Sequence, residues 1–576
     1  MLLMLSGCNK DNASADQSGD NPGEKITAEG TLPPIEVELP KDNPTPAPSK
    51  PNLDFGSNPT MQGINTDFSK NYVDMFTERD LDGAYDSTNV AVVQFNGDSI
   101  STDSKAVKLS GTKMLLDQEG TYIFRGMLYN GMIIVEADDT AKIQIVLDGV
   151  DMASLTSAPI YVKSANKVFI TLAQGTQNRL SNGGTFEQTD ENKVDSVIFS
   201  KQDLTVNGAG VLLIDSPAGH GIVSKDDLVI AGGSYVINVA ERGLDANDSV
   251  RLANAFMTLQ AGKDGIRAKN DEDATRGYVY INDGEYDISA GGDAISASSN
   301  VQIDSGKFDL KTGVGNAEEA DANAPDRKAI KADGSLLVVD GRINIESYDD
   351  AVNVKGAIVL AGGEFTVKAG DDAFHADKDL YAVNATVEVT DSREALEAFN
   401  IDIRGGKLTL SSSDDGINVA GGKDSNDTEA TLSNEKGTLK ISGGEISISA
   451  LGDGIDVKGE FSMSDGLLRI SVSAKDGNSI FDYESGGQIT GGVFIASGSK
   501  EVAHLPEFES QGMITVTTGS RDAGAEIKIT DSEGKVLFSE TPANDYEVFI
   551  VSSSDIVVGN QYKVSVGSDK ATFTAK

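Results

Sequence analysis

A repeat of 22 residues is the feature that most restricts the fold of this chain. A glycine or alanine, followed in all but the last copy by a hydrophobic residue, recurs at intervals of 22, 22, 29, 35, 22, 22, 22, 21, 38 and 23 residues. The residues that define this alignment are Gly221, Gly243, Gly265, Ala294, Ala329, Ala351, Ala373, Ala395, Gly416, Gly454 and Gly477. So short a period is typical of a solenoid, in which each unit packs only on its neighbours.

Each repeat unit contains three short segments with the alternation of β-strands. After Gly221 these are GIVS, LVIAG and YVINVA, separated by KDD and GGS. No helical period is present, and the three long intervals contain polar insertions typical of loops. The pattern predicts an all-β fold, a parallel β-helix of about 22 residues per coil whose coils stack about 4.8 Å apart.

Two apolar rows should face the core of such a helix. The residues that follow the alignment point are Ile222, Leu244, Ile266, Ile295, Ile330, Val352, Phe374, Leu396, Ile417 and Ile455. The second row, eight positions before that point, contains Met257, Tyr286, Ile343, Phe365, Val387, Leu408 and Ile446. We therefore interpret these aromatic residues as core packing and not as a platform for sugar stacking.

A third row contains only residue types that tolerate a positive φ angle. Its members are Asn254, Asp283, Asp340, Gly362, Asn384, Gly405 and Gly443. Their restriction to one row predicts a left-handed turn residue in each coil.

The charge and the single cysteine narrow the possible partners and location. With 48 Lys and Arg residues against 90 Asp and Glu residues, the formal net charge is -42, which argues against nucleic acid as a partner. Leu5-Ser6-Gly7-Cys8 matches a bacterial lipobox, and Cys8 would then carry a lipid that anchors the protein on the outer face of the cell. Only seven residues precede Cys8 and no basic segment is among them, so a chance cysteine is the alternative.

Four regions follow from these patterns. Residues 1–8 are a lipoprotein signal remnant with the lipobox, and residues 9–87 are an acidic, Pro-rich disordered tether and lead-in. Residues 88–508 are the β-helix. Residues 509–576 alternate as antiparallel strands with turns at SEGK and VGNQ, which predicts a small β-sandwich-like domain.

A resemblance adds to this interpretation. The run IQIVLDGVDM, then SAPIYVKSANKVFITLAQGTQNRLSNGG and the DGI and DAI coils, is similar to a family of secreted bacterial carbohydrate-binding β-helix proteins. The similarity extends over about Thr88 to Pro506. It implies a right-handed helix with a pectate-lyase-like fold, bound calcium, and binding of cellulose or acidic, pectin-like polysaccharide.

Stacked acidic residues are the candidates for a calcium site. Equivalent residues of successive coils lie above one another, so a row of one charge is unfavourable unless something neutralises it. Calcium is bound by six to eight oxygen atoms, and carboxylates one coil apart could supply them. The candidate ligands are Asp349, Asp350, Asp371, Asp372, Asp377, Asn353, Asp414 and Asp415. The alternative is a hydrated acidic turn that Arg393 partly compensates.

No catalytic site is evident in the sequence. His220, His375 and His504 lack metal-ligand spacing, which argues against a zinc site or a Ser-His-Asp hydrolase. A calcium-dependent uronate polysaccharide lyase is an alternative, because such enzymes use a Lys or Arg as base. The basic residues in or beside the relevant rows are Arg267, Arg327, Lys328 and Lys331.

The predicted function is therefore non-catalytic binding of polysaccharide by a lipid-anchored, calcium-loaded β-helix on the cell surface. The ligand-binding residues are not evident from the sequence. The lyase remains one alternative, and a structural or adhesive surface protein is another.

Overall fold

The computed structural model describes residues 61–64, 75–85, 87–88, 90–188, 190–313, 327–419, 436–474, 478–500, 505–508 and 511–576. All of them belong to one compact unit, Pro44–Lys576. Cys8, the Pro-rich segment that follows it, and His504 lie outside the described residues. Within the described part, no helix has the length and apolar character required to cross a bilayer.

The described chain is nearly all β, and its coils stack as a parallel β-helix with three faces. Strands of one face pair in parallel with the strand one coil away, as in the series Ile222, Leu244 and Ile266. We call the faces sheets 1, 2 and 3 in the order in which the chain passes through them. This arrangement confirms the predicted fold class, a stack of short parallel strands with a small antiparallel part.

Sheet 1 follows the repeat motif in each coil. Its strands are Lys113–Leu116, Met132–Glu136, Ile160–Ser164, Ser196–Ser200, His220–Ser224, Leu244–Ala246, Ile266–Ala268, Ile295–Ala297, Ile330–Ala332, Val352–Val354, the first parts of Phe374–Ala382 and Leu396–Ile403, Ile417–Val419, Ile455–Val457 and Phe481–Tyr483.

Sheet 2 contains the second strand of each coil and the later parts of two strands that bend out of sheet 1. Its strands are Val90–Gly97, Gly120–Leu128, Lys142–Ser154, Lys167–Leu172, Asp203–Gly208, Asp227–Ala231, Ser249–Ala253, Tyr278–Ile281, Val301–Ile303, Leu336–Val338, Ile358–Leu360, Thr438–Ile441, Glu460–Met463, Gly486–Ile489 and Glu507–Phe508.

Sheet 3 completes each coil, and the later parts of the long early strands also reach it. Its strands are Gln177–Asn182, Val211–Ser216, Ser234–Val239, Ala255–Ala261, Gly284–Ala290, Lys307–Thr312, Arg342–Glu346, Glu364–Lys368, Thr386–Asp391, Lys407–Ser412, Glu445–Ala450, Leu467–Val472 and Val493–Gly498.

The two predicted apolar rows form the core between the sheets. Every residue of the first row is fully buried, and none of the second row exposes more than 3% of its surface. One register prediction is wrong: the residue that pairs with Ile455 is Phe481, not Asn478. The last coil therefore keeps an apolar residue at the core position, and its interval is longer than the sequence motif suggested.

The predicted row of left-handed residues is also wrong by one position in most coils. Of its seven members only Asn254 has a positive φ, 52°. The following residue is the left-handed one in five coils, for example Gly363 at 93°. Gly362 is small for another reason, because a Cβ there would lie 2.5 Å from the carbonyl oxygen of Val339 in the neighbouring coil.

An N-terminal segment covers part of the outer face of sheet 2. We call residues 61–64 and 75–85 the strap; it contains the one helix of the described residues, Glu78–Leu81. Asn207 of sheet 2 donates hydrogen bonds to the carbonyl oxygens of Arg79, Asp80 and Asp82, each at 3.2 Å. The part of the predicted tether and lead-in that the structure describes is thus packed on the β-helix.

Antiparallel strands cover the last coil. Gly512–Arg521 and Tyr546–Ser553 pair with each other, and Tyr546–Ser553 also pairs with the last sheet 3 strand. A separate sheet contains Ile527–Thr530, Val536–Glu540, Gln561–Val566 and Asp569–Thr574. The remaining strands, Ile100–Ser101 and Val107–Ser110, form antiparallel pairs at the first coils.

Candidate functional site

The turn from sheet 3 into sheet 1 places a carboxylate before the alignment point in several coils. Asp350 Oδ1 accepts a hydrogen bond from the backbone N–H of Asp372 at 3.1 Å, and Asp372 Oδ1 accepts one from Glu394 N–H at 3.3 Å. Asp415 does the same for Asp453, at 2.7 Å. These carboxylates therefore join one turn to the next, and this role alone accounts for part of the acidic row.

Three of the predicted calcium ligands come together at this turn. Asp350, Asp371 and Asp372 each offer one carboxylate oxygen, and these oxygens all lie within 4.8 Å of one another. We call these three residues the acidic corner. Lys328 Nζ lies 2.6 Å from Asp350 Oδ2, and Arg393 Nε donates to Asp371. Two of the three carboxylates thus already have a close cationic partner.

Asp372 has more distant cationic partners than the other two members of the acidic corner: the Arg393 guanidinium lies 3.5 Å from Oδ1, and His375 Nδ1 lies 3.6 Å from Oδ2. Its side chain is fully buried, and Oδ2 has no hydrogen-bond partner among the described residues. Burial raises the pKa of Asp372 to about 7, and the charges of Asp350 and Glu397 add to this. An orphan carboxylate oxygen inside a protein is unfavourable, so the site favours a proton or a cation at this atom.

His375 takes part in the same polar cluster, which the sequence did not predict. Its Nδ1 atom lies 2.8 Å from Glu397 Oε2 and 3.6 Å from Asp372 Oδ2, and Nε2 lies 3.3 Å from Asp377 Oδ1. Burial alone would lower the pKa of His375, but these carboxylates raise it to about 12. A protonated His375 is therefore the counter-ion of this part of the cluster.

Glu394 and Glu397 are the other acids of this cluster, and neither was among the predicted calcium ligands. Burial raises the pKa of Glu394 to about 8, together with the charges of Glu397 and Asp372. For Glu397 burial acts in the same direction, but the hydrogen bond with His375 lowers its pKa. A signal was present, because Glu397 and His375 occupy equivalent positions of adjacent coils.

The remaining predicted ligands lie around the acidic corner without joining it. Asn353 Nδ2 donates to Asp350 Oδ2 at 2.7 Å, and Asp349 Oδ2 accepts from the backbone N–H of Arg327 at 2.9 Å. Asp377 is paired with His375. Asp414 lies 4.0 Å from the Arg393 guanidinium, and Asp415 caps the turn of a later coil.

The donor atoms of the acidic corner fit calcium better than they fit a transition metal. All three are carboxylate oxygens, the ligand type of hard cations, and the open Oδ2 of Asp372 is one free ligand position. The second set of three, Asp372, His375 and Glu397, includes a nitrogen atom, but His375 there is held as a cation. Asp350, Asp371 and Asp372 are thus the residues that would hold calcium.

A groove of about 550 Å³ lies beside the acidic corner, on the sheet 3 side of the same turn. We call it the Tyr348 groove. Its lining comes from five successive coils, in the segments 311–313, 346–348, 368–370, 391–393 and 413. Four coil spacings of about 4.8 Å give it a length of about 19 Å along the helix axis.

The groove offers an aromatic ring, basic groups and hydroxyl groups. Tyr348 is 38% exposed, and the Arg327 guanidinium lies 4.3 Å from its ring centroid. Lys311, Lys368 and Arg393 supply positive charge to the lining, and Glu346 and Asp391 supply negative charge. Arg393 contacts both the groove and Asp371, so it connects the groove with the acidic corner.

The basic residues considered for lyase chemistry are mostly engaged elsewhere. Arg267 forms two hydrogen bonds with Asp245, at 2.8 and 3.1 Å. Arg327 lies over Tyr348, and Lys328 is paired with the buried Asp350. These contacts hold the three side chains in positions that the protein itself sets.

Comparisons with known proteins identify relatives of this chain. A family model described as "Carbohydrate-binding domain-containing protein" matches residues 110–373 and 372–560. A protein of that description from Acetivibrio thermocellus is 34% identical over 150 residues, which are 26% of this chain and 52% of the relative. This chain thus spans about half of the length of that curated relative.

A solved structure is also similar in sequence. It is the polysaccharide lyase-like protein from C. thermocellum, determined as a gadolinium derivative, and it is 31% identical to this chain. The match covers 43% of this chain and 97% of that chain, with a TM-score of 0.40.

Proposed function

This chain belongs to the family of carbohydrate-binding domain-containing proteins, and on that premise we propose that it binds polysaccharide without cleaving it. The Tyr348 groove is the observation that supports this most directly. It runs parallel to the helix axis over five coils and combines an exposed ring with hydroxyl and charged groups. An extended saccharide needs such an open, elongated and mostly polar surface.

Calcium is the second part of the proposal. The acidic corner would hold one ion through Asp350, Asp371 and Asp372, and because the pKa of Asp372 is raised to about 7, the ion would compete with a proton for this carboxylate. Because Arg393 binds Asp371 and lines the groove, a cation at the corner would compete with Arg393 for that carboxylate. The guanidinium would then be available to a ligand in the groove.

The cellular location is also part of the proposal. The lipobox around Cys8 supports a lipid anchor on the extracellular face of a bacterial cell, where polysaccharides are accessible. We expect cells grown with labelled palmitate to label this protein and not its Cys8→Ser variant. Equal labelling of the two forms would show that Cys8 does not carry the lipid.

The experiment that tests binding is a polysaccharide panel with cellulose and pectate, run with calcium and with excess chelator. We expect Tyr348→Ala to weaken binding about tenfold, since an aromatic contact and its packing are lost. Tyr129→Ala is the matched control, because Tyr129 is 58% exposed and lies in an early coil outside the groove. Equal losses of affinity in the two variants would show that the Tyr348 groove is not the binding site.

Two further readouts separate the parts of the proposal. Pectate binding that is unchanged in chelator would exclude the calcium requirement while leaving the groove intact. Growth of ultraviolet absorbance from unsaturated uronates, in a mixture of protein, calcium and pectate, would show a lyase and contradict the non-catalytic assignment.

A further inference from the structure

A row of lysines crosses the outer face of sheet 1 far from the acidic corner. Val162, Ser200 and Ser224 are register partners on three successive coils, and each is followed by a lysine. Lys163, Lys201 and Lys225 therefore occupy equivalent positions about 4.8 Å apart. Stacked like charges are unfavourable unless a counter-charge lies between them.

Among the described residues, a carboxylate lies within 4.0 Å of one of the three lysines. Lys163 Nζ lies 3.2 Å from Asp190 and 3.7 Å from Glu136. For Lys201 and Lys225, both exposed, the described residues provide no carboxylate within 4.0 Å. Lys225 instead lies over the ring of the buried Phe199, at 5.7 Å from its centroid. In a chain with a net charge of -42, two adjacent uncompensated amines are unusual.

Both amines border a cavity of about 340 Å³, which we call the lysine pocket. Lys193, Arg242 and Arg267 also line it, so five basic side chains face three acidic ones, Glu191, Asp195 and Asp245. Three of these basic groups are already used by the protein. Arg267 binds Asp245, Arg242 Nε lies 2.7 Å from Asp264, and Lys193 Nζ lies 3.5 Å from Asp195. The pocket therefore has a local excess of positive charge, carried by Lys201 and Lys225.

We propose that the lysine pocket is an anion-binding site that accepts the carboxylate or sulfate group of an acidic saccharide without a bridging metal ion. Ammonium groups and oxyanions form charge-assisted hydrogen bonds, and the pocket volume suits a single sugar ring or a chain end. The inference goes beyond the proposed function, because no residue of the Tyr348 groove or the acidic corner lines this pocket. At an ionic strength of about 0.1 to 0.15 M, the negative charge of the rest of the protein is screened beyond about 8 to 10 Å. The local excess of positive charge in the lysine pocket can therefore attract an anion.

The test uses three small compounds, galacturonic acid, glucose 6-sulfate and glucose, titrated calorimetrically in excess chelator at an ionic strength of about 0.15 M. We expect the acidic compounds to bind and glucose to give no heat of binding, and the tighter of the two acids identifies the preferred group. In the double variant Lys201→Gln, Lys225→Gln the affinity for the acids should fall at least about tenfold, since two charged donors are lost. Added salt should weaken binding in the unchanged protein.

Matched controls keep the test decisive. Lys269→Gln removes an exposed sheet 1 lysine that is paired with Asp271 at 3.2 Å and does not line the pocket. This variant should bind the two acids with the affinity of the parent protein. All the variants change exposed side chains, and their unfolding temperatures should equal that of the parent. Absence of binding by both acids, equal binding of glucose, or full affinity in the double variant would overturn the proposal.

Discussion

Asp226 illustrates at the residue scale how stacking of like charges changes a single side chain. It lies at the turn between sheets 1 and 2, beside Asp203, Asp227 and Asp248. Burial raises its pKa to about 7, and the hydrogen bond with Asp248 and the charge of Asp203 act in the same direction. Asp227, by contrast, forms an ion pair with Arg251 at 2.7 Å.

The pKa of Asp226 predicts a pH window. Between about pH 4, where an unfolded aspartate loses its proton, and about pH 7, the folded protein keeps a proton that the unfolded chain has lost. Stability therefore falls as pH rises through this window and is level above it. We expect Asp226→Asn to raise the unfolding temperature at pH 8, with a difference that disappears near pH 4 in thermal unfolding followed by circular dichroism.

Asp227→Asn is the control for this prediction. Because it breaks the ion pair with Arg251, it should lower the unfolding temperature at pH 8. If both substitutions lowered the unfolding temperature to the same degree, the proton that Asp226 holds in the folded state would not be the cause of the pH dependence of stability.

Residue types alone predicted the core better than they predicted the turn. Ile222 and its row had to be buried whichever register the turn adopts, since alternation fixes which side faces the core. In a Gly362-Gly363 pair, however, composition cannot tell the left-handed residue from the one pressed against a carbonyl group. His375 was missed although Asp372 and Asp377 are close to it in sequence, because its third partner, Glu397, is found only when equivalent positions of adjacent coils are compared.

At the scale of secondary-structure elements, the strap is the feature that was hardest to predict from the sequence. Its polar composition suggested a lead-in without a core, yet Asp80 is 1% exposed and lies 2.7 Å from Lys167 Nζ. Thr77 and Asp80 form a capping box at the start of the helix. Burial alone would raise the pKa of Asp80, but Lys167, Thr205 and Thr77 together hold it below its usual value.

Removal of this carboxylate should release the strap. We expect Asp80→Ala to destabilise docking of the strap by about 3 kcal/mol, because Lys167 then stays in a nearly buried site without its partner. Hydrogen exchange of residues 75–85 should accelerate, while exchange in sheet 3 stays unchanged. Glu78→Ala, an exposed change in the same turn, is the control, and similar acceleration in both variants would contradict a specific role of Asp80.

At the scale of the whole molecule, a β-helix must end without exposing the edge of its last coil. Unpaired edge strands are templates for association with other chains, and repeat proteins cover them with caps. Here Tyr546–Ser553 pairs with Val493–Gly498, and Ile495 is buried in the apolar cluster of the C-terminal strands. The predicted domain of residues 509–576 is therefore continuous with the stack through backbone hydrogen bonds, which its sequence pattern could not indicate.

Removal of residues 511–576 should convert this protected edge into a site of self-association. The truncated chain would expose the backbone groups of Val493–Gly498 together with the side chain of Ile495, and we expect oligomers in size-exclusion chromatography with light scattering. The change Ile495→Lys in the truncated chain places a charge on the exposed edge and should restore a monomer. A truncated chain that remains monomeric without this change would show that the C-terminal strands have a function other than capping the stack.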